Sequence, residues 1–377
     1  MSNKKIFWIA GENSGDLHAS IVLKEINKQI SNIENFGIGG ERMKSHGFKA
    51  IYPFERFSVM GFIEVVKHLT FFANVEKNIK NIFRNDPPDL VVLVDYPGLN
   101  MRVAKMAKSF NIPVLYFIVP QFWAWKYKRI FKLQKFTDQI AYILPFEGRH
   151  FSKHNIKASF VGHPISEEIS IKLSREEFAK ENNLDLNKKW LGFLPGSRDI
   201  ELKKMLPVFI DTIKLFNKDN YEFLISQASS ISAELFKEAN EETDNKRKII
   251  RNMNYEMMKH CDLLVVTSGT ATIETAYLGT PFIIVYKTSN ISYQIGKRFI
   301  KINKIGLPNI VMEKDIVTEL IQDDVNEKNI YSKVTEILSD ENKYNKISND
   351  LEALHDILGS KITSKEVTVI IRKMLNE

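Results

Sequence analysis

A single cysteine, Cys261, in 377 residues leaves no partner for an intramolecular disulfide and rules out a multi-cysteine metal site. That usage fits a reducing compartment, and a cytoplasmic location is expected. No Asp-x-Asp occurs, which counts against a divalent ion bridging a nucleotide diphosphate. No His-Glu-x-x-His occurs either. Glu147, His150 and His154 can share one helix face, but they lack a cysteine partner, so no metal is expected. Long apolar runs are also missing. The longest nearly apolar stretch, 114–125, contains Pro120 and Gln121 and is well short of the ~20 residues a spanning helix needs. The apolar run ending at Ala10 is too short for a signal-peptide core, so no export signal is expected. Gly37, Gly39 and Gly40 miss the dinucleotide spacing, which removes nicotinamide and flavin, and no cofactor is expected.

What is present is an ordinary globular composition, 44% hydrophobic and 26% charged, on a chain long enough for two domains. A formal charge of +7 attracts anions, whether nucleotide phosphate, anionic lipid or nucleic acid, and selects none of them. Short β-branched and aromatic runs alternate with amphipathic segments, the pattern of βα units around parallel sheets. Strands are predicted at 5–10, 35–38, 48–52, 90–95, 114–119, 139–144 and 159–161, several apolar without alternation, as strands buried on both faces are. After Pro164 the pattern restarts: Ser174 with Glu177 forms a capping box, and further strands are predicted at 190–194, 221–226, 248–251, 262–267 and 281–287. The result is two similar α/β halves, 1–170 and 171–377, with a boundary in 164–190. No strand signal follows about residue 312, so the tail is expected to be helices packed outside or crossing back to the first half.

In open parallel sheets ligands bind beyond the carboxyl ends of the strands, so the loops there carry first weight. Gly11-Glu12-Asn13-Ser14-Gly15-Asp16 opens a helix where two glycines and free amides can admit a ligand, or is a polar capping turn. Asp95-Tyr96-Pro97-Gly98 ends an apolar strand with a carboxylate that can act as a general base, or is a turn aspartate. In Pro195-Gly196-Ser197-Arg198 the glycine lets the backbone approach an anion and the arginine fork can chelate phosphate, unless Arg198 pairs with Glu201 on the next helix. Ser268-Gly269-Thr270 opens a helix whose dipole favours phosphate, with Glu274 on the same face as Thr270 and able to take a ribose diol; an ordinary N-cap has the same local sequence.

Two segments leave a choice between function and packing. The aromatic and basic run 123–132 resembles a single-strand nucleic-acid platform, yet Lys128, Lys132 and Lys135 are spaced as a solvated helix face. The segment 57–72 is apolar on more than one helical face, which suits either core or a patch for acyl chains.

Taken together, the motifs resemble the lipid-A-disaccharide synthase family, bacterial glycosyltransferases that join two acylated glucosamines. They are Ala10 with the loop to Asp16, Ser58-Val59-Met60-Gly61, the stretch from Asp95 to Asn100, Trp123-Ala124-Trp125, Leu144-Pro145-Phe146-Glu147, Val161-Gly162-His163-Pro164, Leu194 to Arg198, Ser268 to Glu274, and Leu307-Pro308-Asn309. The resemblance runs from about residue 5 to 325, and the order and spacing carry it. It implies a GT-B fold, two Rossmann-like parallel-sheet domains facing a cleft, with terminal helices. The implied donor is UDP-2,3-diacylglucosamine and the acceptor 2,3-diacylglucosamine 1-phosphate (lipid X), giving a β-1,6 disaccharide 1-phosphate and UDP with inversion and without a metal.

On that resemblance the family's essential aspartate falls on Asp95, its phosphate-region arginine on Arg198 and its conserved asparagine on Asn309, the three expected catalytic residues. Gly196, Ser197, Arg198, Ser268, Gly269, Thr270 and Glu274 are expected to bind the nucleotide sugar in the second half. Glu12, Ser14, Gly15, Asp16, Met60, Gly61 and Phe62 are expected to line the acceptor and its acyl chains in the first. The implied partners are the two lipid substrates and, peripherally, the inner-membrane surface; a homodimer is compatible with the family and nucleic acid is not expected. Gly98 stands where the family often has a second acid, and Val119 and Gln121 replace hydroxyl residues common before Trp123. The nearest rivals are UDP-N-acetylglucosamine 2-epimerases and the glycosyltransferase that makes lipid II; the apolar 57–72 segment and the Ser58-Val59-Met60-Gly61 motif separate them, since a purely water-soluble substrate would not require these.

Overall fold

The computed structural model describes residues 4–58, 69–124, 126–228, 231–232, 234–236, 247–288 and 304–376. The chain divides into two units, one running to Glu167 and taking in Gly359 onward, the other Glu168–Leu358. Each is built on a wholly parallel sheet.

In the first unit the strands are β1 (Lys4–Ala10), β2 (Ile33–Ile38), β3 (Lys49–Ala50), β4 (Leu90–Val94), β5 (Val114–Phe117), β6 (Gln139–Tyr142) and β7 (Ala158–Phe160). Their order is β3-β2-β1-β4-β5-β6-β7, so the chain works outward from β1 and then crosses back to lay β4 on β1's other side. All five residues of β4 are buried, and so are residues 6–10 of β1, because helices cover both faces and every side chain there must be apolar. The one polar adjustment is local: the buried Trp8 indole N–H donates to Asn35 Oδ1 at 2.9 Å. Helix α1 (Asn13–Gln29) follows β1, and short helices α2 (Glu41–Lys44) and α3 (Glu55–Ser58) flank β3. Helix α4 (Leu69–Asn85) packs through Phe72, Val75, Ile79 and Phe83, one stripe at helical spacing, onto a cluster with Phe7, Ile9 and Val91. Helices α5 (Pro97–Ser109), α6 (Arg129–Phe136), α7 (Glu147–Lys153) and α8 (Ile165–Glu168) complete the alternation.

The second unit repeats the plan. Helix α9 (Arg175–Asn182) leads into β8 (Lys189–Leu194), α10 (Asp199–Lys214), β9 (Tyr221–Gln227), β10 (Arg247–Arg251), α11 (Asn254–His260), β11 (Leu263–Thr267), α12 (Thr270–Leu278), β12 (Phe282–Tyr286), α13 (Leu307–Val311) and β13 (Glu319–Ile321). The sheet order is β10-β9-β8-β11-β12-β13. The predicted capping box is present at α9: Ser174 Oγ accepts from Glu177 N at 3.2 Å and Glu177 Oε2 from Ser174 N at 2.8 Å. Arg175 ties that helix to the sheet, donating to His260 O and Asp262 Oδ2 at 2.7 and 3.0 Å while its guanidinium lies 4.1 Å from the Trp190 ring centre.

Strand β13 corrects the expectation that no strand follows residue 312. It is a three-residue edge with one neighbour and a single buried side chain, Leu320, so it has neither the length nor the apolar run that marks the others. The tail is otherwise helical: α14 (Glu327–Ser339), α15 (Glu341–Gly359) and α16 (Thr363–Leu375). Helix α16 buries Val367, Ile371 and Leu375 and packs on α1 of the first unit.

Candidate active site

Each sheet has one point where the strand order reverses, β1/β4 in the first unit and β8/β11 in the second, and loops diverging there leave a crevice for a ligand. Ala10 pairs with Val94 and Leu194 with Val266, so the Gly11 and Asp95 loops sit side by side, as do the Pro195 and Ser268 loops. All four chemistry-bearing loops are therefore at switch points.

Asp95 is the first residue beyond β4, and the backbone there is strained. Asp95 (φ 46°) and Tyr96 (φ 44°) are consecutive non-glycine residues in the left-handed region, and Ile118 beyond the neighbouring β5 also has φ 60°. A β-branched residue in that region is an outlier, and each such residue costs roughly 1–3 kcal/mol. The turn is held from below: the Asp95 carbonyl accepts from Asn100 Nδ2 at 2.6 Å and from the Tyr116 hydroxyl at 2.8 Å. The Asp95 amide donates to the carbonyls of Phe117 and Ile118, both at 3.2 Å. Half-burial pushes the Asp95 carboxyl up to about 6, with the Glu12 carboxylate adding to the rise and His18 opposing it. A carboxyl poised near neutrality on a sheet rim has the properties of a general base.

The neighbouring loop is shaped around this turn. A Cβ on Gly11 would lie 2.7 Å from the Tyr96 ring, so only glycine lets the ring rest on the backbone. Glu12 and Ser14 are exposed at the start of α1, and Gly15 is buried. Asp16 departs from its expected acceptor-side role. It is 5% exposed, and its carboxylate caps α2, accepting from the amides of Gly40 (2.7 Å), Arg42 (3.2 Å) and Met43 (3.2 Å). Met60, Gly61 and Phe62 lie outside the described residues.

In the second unit Gly196 has φ 109°, and a Cβ there would meet Glu201 Oε2 at 2.5 Å. Glu201 organises the loop: Oε2 accepts from the Ser197 and Arg198 amides at 3.1 and 3.3 Å, and Oε1 from Arg198 Nη1 at 3.1 Å. The pairing of Arg198 with Glu201 is thus real, but it leaves the arginine side chain 82% exposed. A guanidinium has five N–H donors, so one bond to Glu201 orients the fork without exhausting it. Across the switch point, Gly269 and Thr270 are exposed at the N-terminus of α12, where the Thr272 amide donates to Gly269 O at 3.1 Å and the helix dipole favours an anion. Ser268 Oγ donates to Ile305 O at 3.5 Å, and Glu274, half-buried one turn into α12, accepts from the Tyr255 hydroxyl at 3.2 Å.

Asn309, expected among the catalytic residues, lies inside the second unit. It is 0% exposed, and its side chain is fully used inside the unit: Nδ2 donates to Val317 O (2.9 Å) and Glu319 Oε1 (2.8 Å), while Oδ1 accepts from the Ile316 and Val317 amides (2.8 and 3.0 Å). It braces the chain and has nothing left to orient a sugar or phosphate. Glu319, which the sequence reading missed along with its strand, also accepts from the Ile305 and Gly306 amides at 2.9 and 3.0 Å, holding the segment that Ser268 touches.

Among the described residues no three or more His, Cys, Asp or Glu side chains come together as a metal ion requires, Glu147, His150 and His154 included. Glu147 turns inward, accepting from Trp123 Nε1 at 3.0 Å and Leu144 N at 3.4 Å, and burial lifts its carboxyl to about 8. Lys128, Lys132 and Lys135 are exposed, as a solvated helix face. Of the apolar 57–72 segment, Phe57 and Phe72 are core at 1% and 6% exposure. Among the described residues no helix is long and apolar enough to cross a membrane.

Comparison with known proteins decides the family. The family model described as lipid-A-disaccharide synthetase matches residues 6–373. The chain belongs to the lipid-A-disaccharide synthetase family. A lipid-A-disaccharide synthase of Geobacter metallireducens is 35% identical over 378 residues, covering 100% of this chain and 98% of that one. One from Coxiella burnetii is 32% identical over 377 residues and 100% of both. As a member of this family the chain is an enzyme of the glycosyltransferase class. Solved structures support the two-domain fold alone. The calicheamicin glycosyltransferase CalG4 superposes with a TM-score of 0.65 at 12% identity, covering 100% of this chain and 99% of that one. The UDP-GlcNAc 2-epimerase of Neisseria meningitidis gives 0.64 at 12% identity and 100% of both.

Proposed function

We propose that this member of the family is an inverting glycosyltransferase that moves 2,3-diacylglucosamine from UDP to the 6-hydroxyl of 2,3-diacylglucosamine 1-phosphate, giving the β-1,6 disaccharide 1-phosphate and UDP. The first unit takes the acceptor and the second the UDP-sugar. The observation that carries the reading is Asp95, an aspartate raised toward neutrality on a strained switch-point turn, in a chain whose family is settled along its length.

The Asp95 carboxylate removes the proton from the acceptor 6-hydroxyl. As that oxygen bonds to the donor's anomeric carbon from the face opposite UDP, the bond from carbon to diphosphate oxygen breaks and its electron pair leaves with UDP. Arg198, oriented by Glu201, and the amides at the start of α12 stabilise the charge that develops on the diphosphate, each such donor being worth roughly 3–4 kcal/mol. Glu274 holds the ribose. Glu12, Ser14 and the 60–62 segment line the acceptor side. Because both substrates carry acyl chains, the protein works at the inner-membrane surface from the cytoplasmic side, and its charge of +7 favours anionic lipid. Asp95→Ala tests the reading: it folds and loses turnover, and substantial activity in that variant removes Asp95 from the base role. Flotation with anionic vesicles tests the membrane part, and protein left wholly in the soluble layer contradicts it.

A further inference from the structure

We infer that Asn100 and Tyr116 are positioning residues for Asp95, acting together on its main-chain carbonyl to fix the direction of its carboxylate. The inference rests on the reading of Asp95 as the base. A left-handed aspartate followed by a left-handed tyrosine is not a conformation the chain adopts by preference, and neither position is glycine. Something must hold it there. The bonds to the Asp95 carbonyl come from two different elements: Asn100 on α5 at 2.6 Å and Tyr116 on β5 at 2.8 Å. Both residues are 0% exposed, so neither contact competes with water. Asn100 Nδ2 also donates to Val94 O at 3.2 Å, tying the last residue of β4 to the same amide.

The carbonyl and the carboxylate of one residue share a Cα, so fixing the carbonyl fixes the bond from which the side chain projects. Neither Asn100 nor Tyr116 needs to touch substrate. Removing one bond lets the turn relax toward ordinary backbone geometry and swings the carboxylate away from the acceptor hydroxyl, and a misplacement of about 1 Å costs on the order of 10²-fold in rate.

Tyr116→Phe is the cleanest test, because it deletes one hydroxyl from a packed ring and leaves the carbonyl bonded to Asn100. The assay follows disaccharide formation from the two acylated substrates, with kcat, both KM values and thermal stability measured on parent, Tyr116→Phe, Asp95→Asn and the double variant. Tyr116→Phe is expected to lower kcat about tenfold with both KM values within twofold of the parent, and to add less than twofold to the loss in Asp95→Asn. Asn100→Ala is expected to lower kcat further; if it does not fold, Tyr116→Phe carries the test alone. Parent kcat in Tyr116→Phe while Asp95→Asn is inactive overturns this inference and leaves the base assignment standing. The same tenfold loss in the Asp95→Asn background also overturns it, since the hydroxyl then acts elsewhere. Parent turnover in Asp95→Asn overturns the base assignment itself and the inference with it.

Discussion

Asp95→Asn is predicted to make the protein more stable and the enzyme almost inactive. The Asp95 carboxyl stands at about 6 in the folded chain against 3.8 in its unperturbed state, chiefly because the charged form is desolvated, with the Glu12 carboxylate adding to it. At about 1.4 kcal/mol per pH unit, and discounted for partial exposure, ionised Asp95 costs the fold about 1–3 kcal/mol at pH 7. The folded state binds the proton more tightly, so stability falls as pH rises through the window from 3.8 to about 6, and the penalty is fully present above it. Asparagine carries no charge and tolerates the left-handed region better than aspartate's charged form in this setting, so its advantage is largest above about pH 6 and fades below pH 4. Thermal melts of parent and variant from pH 4 to 8 measure this directly. Turnover moves the other way: losing the base costs about 10²- to 10⁴-fold, and in the parent kcat/KM falls about tenfold between pH 7 and pH 5 as the carboxylate is protonated. A variant that melts lower than the parent at pH 8, or that turns over normally, refutes the reasoning.

Arg198→Ala is expected to leave the melting temperature nearly unchanged, because an exposed pair with Glu201 contributes about 0–1 kcal/mol, while kcat falls about 10²- to 10³-fold; steady-state kinetics beside a melt separates the two. Gly196→Ala puts a Cβ at φ 109° against Glu201, so UDP affinity measured by calorimetry is expected to drop about tenfold or more as the loop moves. Asn309→Ala orphans the two buried amides that bonded to its Oδ1 and removes two donated bonds, so a destabilisation of about 2–4 kcal/mol is expected in urea unfolding, and any loss of activity follows loss of folded protein.

Burial on both faces explains how much of the fold was legible. Strand β4 is apolar at every position and β11 at all but its last, Thr267, so they stand out as runs. Strand β13 needs only Leu320 inside, and nothing marks it. The site followed the same logic in part. The rim positions of Asp95, Arg198 and the Ser268 loop were legible because polar residues there follow apolar strands. The strain at Asp95, Tyr96 and Ile118 was not, since tyrosine and isoleucine do not advertise a left-handed backbone and aspartate does so only weakly. The family resemblance singled out Asp16 and Asn309 as site residues, and nothing in the sequence shows the buried amides that bond to their side chains. Asn100 left a weak signal, a polar residue on the buried face of α5 one turn beyond Tyr96, which only the carbonyl beneath it explains.

The most direct test of the proposed reaction is a discontinuous assay of the purified protein with UDP-2,3-diacylglucosamine and 2,3-diacylglucosamine 1-phosphate in the presence of a chelator, following UDP and the disaccharide 1-phosphate together. Equimolar UDP and β-1,6-linked product are expected, at a rate the chelator does not change. Folded protein that makes no disaccharide from validated substrates contradicts it.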